Sequence, residues 1–191
     1  MYWTDEGYLL SKNNFDENSI IIEAFTLEHG KYTGIVYGGS SRKQKRNFQL
    51  GNKILLNWRS KNENKTGYFN VELLQPIAPF FFDDKKKIVC ILSATSILKI
   101  LLPERETNIK IYKSFEKLLD DLKLKNWINL YVNWELSLIK ELGFENIAKS
   151  SDKDNIKEAL SANKNLLMDN FIIPNRLRFP FFRNILENYF N

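Results

Sequence analysis

The 191-residue chain contains one cysteine, Cys90, and one histidine, His29. A lone cysteine excludes an intrachain disulfide and a cysteine-based zinc site. Cys90 lies in the apolar helical run IVCILSATSIL and is expected to be a small buried residue, not a nucleophile. His29 falls in the turn EHGK with only Glu28 beside it. A catalytic or metal-binding histidine needs partners at fixed geometry, so His29 reads as a polar turn residue. The acidic pairs Asp5–Glu6, Asp16–Glu17, Asp83–Asp84 and Asp120–Asp121 do not make up the deficit. Neighbouring side chains diverge on a helix and point to opposite faces of a strand. Neither a P-loop nor GxGxxG nor GxSxG is present. No catalytic residue, metal ligand or cofactor is expected, and the chain reads as a non-enzyme. The opening MYWTDEGYLL lacks the basic and apolar regions of a secretory signal. The longest apolar run, Ile88 to Leu102, is interrupted by Lys99 and is too short to span a bilayer. A cytoplasmic protein with no membrane partner is expected.

Acidic residues are missing from one long stretch: none occurs between Lys31 and Arg59. Within it, YGGSSRKQKRNFQLGN (Tyr37 to Asn52) sets Arg42, Lys43, Lys45 and Arg46 behind two glycines and two serines. The net charge of +5 permits a nucleic-acid partner without requiring one. The 21 lysines against 7 arginines also fit an AT-rich coding bias, so the distribution of charge says more than its total. Cations that follow a backbone, with rings that stack on bases, are the components of a single-strand binding surface. The candidate nucleic-acid set is therefore Lys31, Arg42, Lys43, Lys45, Arg46, Lys53 and Arg59, with Tyr37 and Phe48 as stacking residues. Tyr32, Tyr37 and Trp58 also read as barrel filling, and strand alternation sends about half of such side chains inward.

Glycine and proline are sparse, at 8 and 5, and punctuate clearly. Five strand-like segments precede Pro76: Gly7 to Lys12, Ser19 to Leu27, YTGIVYG, NKILLNWRS and YFNVELLQP. Short strands with Gly/Asn turns predict a small β-barrel, either an OB-fold or an SH3-like barrel. After Pro79 the period becomes helical. Asp83 and Asp84 suit a helix start and Pro103 a stop; two more helices carry Ile111 to Leu122 and Trp127 to Leu142, the latter ending at Gly143. Further helices are expected near Asn155 to Met168 and Phe181 to Tyr189, after a polar stretch from Ala148 to Asp154. The fold class is thus α+β with two domains, a barrel over 1–78 and an all-α domain over 79–191.

Four stretches together resemble the bacterial recombination mediator family RecO, in its alphaproteobacterial form. They are the opening WTDEGYLLSKNNFDENSIIIEAFTLEHGKYTGIVYGGSSRKQ, then FQLGNKILLNWRS, LLPERE and NWELSLIKELGF. The resemblance implies an N-terminal OB-fold and a helical C-terminal domain. It implies binding of single- and double-stranded DNA, annealing of complementary strands, and action with RecR to load RecA onto DNA coated by single-stranded DNA-binding protein. It also implies a docking site for the acidic tail of that protein, for which Arg105, Arg176, Arg178 and Arg183 are the cationic candidates. The last three surround FPFF, which reads either as tail-binding surface or as core rimmed by solvated arginines. Many members insert a cysteine-bearing zinc module after the LGF helix. Here Glu145 to Asp154 is short and lacks cysteine, so zinc is not expected. Two rival classes make different predictions: an interaction scaffold binds DNA weakly and indifferently to RKQKR, and a hydrolase built from scattered acids turns over with metal.

Overall fold

The computed structural model describes residues 1–41, 44, 46–62, 66–144 and 155–190. Five strands, β1 (Tyr2–Asn14), β2 (Ser19–Thr26), β3 (Gly30–Tyr37), β4 (Lys53–Arg59) and β5 (Gly67–Gln75), form a closed barrel in the order β1-β2-β3-β5-β4. All neighbours are antiparallel except β3 and β5, which run parallel through Gly34↔Gly67 and Ile35↔Tyr68. This is the OB-fold arrangement. Its interior is filled by Leu9, Ile20, Ile22, Ala24, Val36, Ile54, Leu56, Trp58, Phe69 and Val71, with Phe48 entering from the loop before β4. Gly34 is needed there, because a Cβ would sit 2.4 Å from a Phe69 ring carbon.

β1 is longer than its apolar half suggests. Tyr2 to Tyr8 pairs with β4, Gly7 to Asn14 pairs with β2, and a register shift lies between Leu9 and Ser11. One bent strand thus closes the barrel. Its first half escapes a hydrophobic reading because Asp5 faces inward. The Asp5 carboxylate accepts from the backbone N–H of Glu6, Glu28 and His29 and pairs with His29 Nδ1 at 2.9 Å. His29 also stacks on Trp3, with centroids 4.2 Å apart. The lone histidine is therefore a tie between β1 and the β2–β3 turn. Gly30, which follows it, has φ of 76°, and a Cβ there would lie 2.1 Å from the Glu106 carbonyl oxygen.

The helices are α1 (Lys85–Leu101), α2 (Ile109–Asp121), α3 (Trp127–Glu141), α4 (Ile156–Leu167) and α5 (Phe181–Asn188). Asp84 caps α1 by accepting from Lys87 N–H, and Asn155 caps α4 by accepting from Lys157 N–H. Gly143, at φ 100°, follows α3 as a left-handed stop. A short π-helical turn, Met168–Ile172, extends α4.

Two compact units emerge, Met1–Ile109 and Lys110–Asn191. The first includes α1 with the barrel. Lys31 on β3 secures it: its Nζ donates to the Lys99 carbonyl, 2.7 Å away in the last turn of α1. The LLPERE segment follows, with Glu104 bridging Lys31 and Arg105 N–H donating to the Lys31 carbonyl at 2.9 Å. In the second unit, Glu135 on α3 accepts from Tyr131 OH, from Asn163 Nδ2 on α4 and from Arg183 on α5, all buried. Arg183 Nη2 also donates to the Leu160 carbonyl at 2.7 Å. This polar knot joins three helices.

Candidate nucleic-acid interface

The cross-strand register builds a surface row on the barrel. Trp3, Trp58 and Phe69 face inward or pack on the core, so Tyr2, Arg59 and Tyr68 face outward. Tyr2 lies opposite Arg59, and Arg59 opposite Tyr68. The Arg59 guanidinium sits 5.3 Å from the Tyr2 ring centroid, within cation–π range. Tyr68 neighbours Ile35, and Tyr37, two residues along β3, stacks on Tyr68 with centroids 5.0 Å apart and planes 17° from parallel. Tyr37 is 67% exposed, Tyr2 59% and Tyr68 43%. The hydrogen bond to Tyr68 raises the Tyr37 hydroxyl pKa above its usual value, with smaller contributions from desolvation and the Tyr68 and Asp16 charges.

The next row along the same strands is Thr4, Asn57 and Asn70. Asn57 Oδ1 accepts from Tyr2 OH at 3.1 Å and Thr4 Oγ1 at 2.8 Å. Between the rows lies a recess of about 360 Å³ lined by Tyr2, Asn57, Arg59, Tyr68, Phe69 and Asn70.

The basic loop falls only partly within the described residues. Arg42, Lys43 and Lys45 lie outside the described residues, while Arg46 is exposed. Around them the chain makes successive turns, with Ser41 N–H donating to Gly38 O, Gln44 N–H to Ser41 O and Asn47 N–H to Gln44 O. A cleft of about 690 Å³ opens where Gly39, Ser40 and Phe48 meet Lys12, Asp16 and Glu17. Asp16 there accepts from Asn18 and Ser19 N–H, and these bonds, Asn18's foremost, hold its pKa below the usual carboxylate value. A fixed carboxylate makes this cleft a poor seat for phosphate.

The remaining sequence candidates divide sharply. Arg59 is exposed in the row, opposite Tyr68, and Tyr37, stacked on Tyr68, is exposed as well. Lys53 is paired with Glu6 at 2.8 Å and lies over the Tyr8 ring. Lys31 is only 8% exposed and is committed to α1, with burial lowering its pKa, so it does not present a charge to DNA. Phe48 is core and cannot stack on a base without leaving the barrel. Arg105 is exposed at φ 63° with its guanidinium 5.4 Å from the Tyr32 centroid, and it belongs to the barrel unit. Arg176 and Arg178 are exposed. Arg183 is fully buried and tied to Glu135, which removes it from any docking surface. The FPFF run splits between core and surface: Pro180 is buried and Phe181 exposed.

Sequence reasoning missed Tyr2, Tyr68, Asn57 and Asn70. Tyr68 carried a signal as the first aromatic after the KNENKTG turn. Tyr2 carried none until β1 was known to extend to it. Among the described residues, no three His, Cys, Asp or Glu side chains are grouped to hold a metal ion, and no helix is long and apolar enough to cross a membrane.

Comparison with known proteins accounts for this order of units. The model for the N-terminal part of recombination protein O matches residues 1–77, and the model for its C-terminal part matches residues 83–147. A DNA repair protein RecO of Cereibacter sphaeroides is 34% identical over 142 residues, covering 74% of this chain and 60% of that protein. The Roseobacter denitrificans protein of the same name is 37% identical over 145 residues, covering 75% and 60%. That of Wolbachia pipientis is 33% identical over 147 residues, covering 76% and 60%. The chain therefore matches about 60% of the length of these curated relatives. With both parts of the family matched in order along most of its sequence, the chain belongs to the recombination protein O (RecO) family.

Proposed function

We propose that this chain is a DNA-binding recombination mediator in recombinational repair, acting in the bacterial cytoplasm. It binds single- and double-stranded DNA and promotes annealing of complementary strands. With RecR it helps load RecA onto DNA coated by single-stranded DNA-binding protein. The observation that carries the reading is the ordered match to both parts of the RecO family. The barrel supports it by exposing Tyr37, Arg46 and Arg59 on one acid-free segment, next to the exposed rings of Tyr2 and Tyr68.

The mechanism is electrostatic and needs no covalent step. Arg46, Arg59 and the loop cations Arg42, Lys43 and Lys45 neutralise phosphates and release counterions. Two strands so held repel each other less, and pairing nucleates. Base sequence matters little, since the barrel places no helix to read a groove. Labour divides at residues 78 and 79: the barrel holds DNA, and the helical part docks partners. Arg176 and Arg178 are the exposed cations there for the acidic tail of the single-stranded DNA-binding protein.

The test is fluorescence anisotropy on single-stranded DNA across a salt series, comparing the intact chain with Arg42, Lys43, Lys45 and Arg46 all changed to alanine. Affinity is expected to fall and the log–log salt slope to shrink by about 0.7 per lost contact. Unchanged affinity and slope would favour an interaction scaffold whose loop meets protein.

A further inference from the structure

Packing does not explain why four strands converge Tyr2, Arg59, Tyr68 and Tyr37 on one outer surface. Outward positions further along these strands carry Glu6 and Glu72, as a solvated barrel face ordinarily does. We propose that the Tyr37–Tyr68 stack, flanked by Arg59 over Tyr2, is a platform for unpaired bases that makes the barrel prefer single strands to duplex. The proposal rests on the DNA-binding reading above and assigns it a face.

Three features support it. The rings are already near-parallel at 17°, with centroids 5.0 Å apart, so little freedom is lost when a base joins the stack. Both stay well exposed. The recess beside them is lined by Asn70, whose amide offers both a donor and an acceptor to base edges, and by Asn57, whose Oδ1 is held by Tyr2 and Thr4 and whose amide N–H groups are its donors. Arg59 supplies a planar cation that reaches phosphate or stacks in its own right.

The strand preference follows from what each ligand offers. In a duplex both faces of every internal base are covered by neighbouring pairs. A single strand can present a bare face to a ring. Phosphate contacts from the loop act on either form, so the platform is what distinguishes them. A competing role exists: the same stack would brace β3 against β5, which pair through only two residue pairs. A brace affects the unfolding midpoint and leaves strand preference alone.

The experiment uses the full chain with labelled oligothymidine and a duplex of equal length, read by anisotropy at one salt concentration. Urea midpoints are taken in parallel. The Tyr37→Ala/Tyr68→Ala variant is expected to lose roughly tenfold to a hundredfold in single-strand affinity, with duplex affinity and the salt slope unchanged. Tyr37→Phe/Tyr68→Phe keeps the rings and is expected to bind as the parent does. Equal losses on both ligands, or none, would overturn the platform. If the loop variant then still weakens binding, DNA binding stands without it. An intact chain that binds neither ligand sinks both readings together.

Discussion

Arg59 and Arg183 occupy the two units and are used in opposite ways. Arg59 lies on the barrel surface over Tyr2, beside a recess, with no acid in its row. Arg183 is sealed among α3, α4 and α5. Burial pulls its pKa down, but the charge and hydrogen bond of Glu135, with Tyr131 and Glu187, hold it above the usual arginine value. The barrel unit keeps polar chemistry available at its surface, whereas the helical unit uses part of its polar chemistry to set helix positions. A cation's identity therefore says little about its role until its surroundings are known. The same holds within the barrel unit, where Arg59 is presented and Lys31 caps a helix.

The contrast is broken most forcefully at Arg183. Arg183→Met leaves Glu135 buried and unpaired, and is expected to destabilise the helical unit by about 3–5 kcal/mol in urea unfolding. Glu135→Leu combined with Arg183→Met should recover much of that loss, because no isolated charge remains. Single-strand affinity of the folded double variant should match the parent's. A clear loss there would assign DNA contact to the helical unit and erase the contrast. Gly30→Ala is the next largest change. It forces a side chain into a left-handed conformation and against Glu106, and is expected to cost about 1–3 kcal/mol by the same measurement.

Much of this arrangement was legible in the sequence, and its gaps have physical causes. Turn residues and β-branched runs marked the strands, and helical spacing marked α1 to α3, because local patterning reflects which face is buried. The start of β1 was missed because Asp5 is an inward charge satisfied by backbone donors from a distant turn. Lys31, Phe48 and Arg183 were read as ligand contacts because sequence shows a side chain's chemistry but not its neighbours. The first glutamate of NWELSLIKELGF is Glu135, so that motif encodes the polar knot of the helical unit. The row of Tyr2, Arg59, Tyr68 and Tyr37 depends on cross-strand register, which no local pattern supplies.

Lys31 sharpens the comparison inside the barrel unit. Burial lowers its pKa from the usual 10.5, against the pull of Glu23 and Glu104. The native chain then gives up this proton at lower pH than the unfolded chain does. Stability gains from this group as pH rises from the lowered native value to 10.5, and the gain is lost as pH falls back through that window. Lys31→Met should remove this alkaline slope, seen as urea midpoints of parent and variant that change differently between neutral and alkaline pH. Its DNA affinity should be unchanged, since Nζ is already bonded to Lys99 O. A marked loss of affinity would return Lys31 to the DNA surface.

The smallest effect is expected at Arg176, the exposed helical-unit cation with φ of 53°. Arg176→Gly relieves a left-handed backbone but frees the unfolded chain, and these oppose each other, so stability should move by about 0.5 kcal/mol or less. DNA affinity and its salt slope should not move if phosphate contact belongs to the barrel. A slope reduced by about 0.7 would instead count Arg176 among the phosphate contacts. The helical unit would then share the DNA through its surface while still keeping Arg183 within.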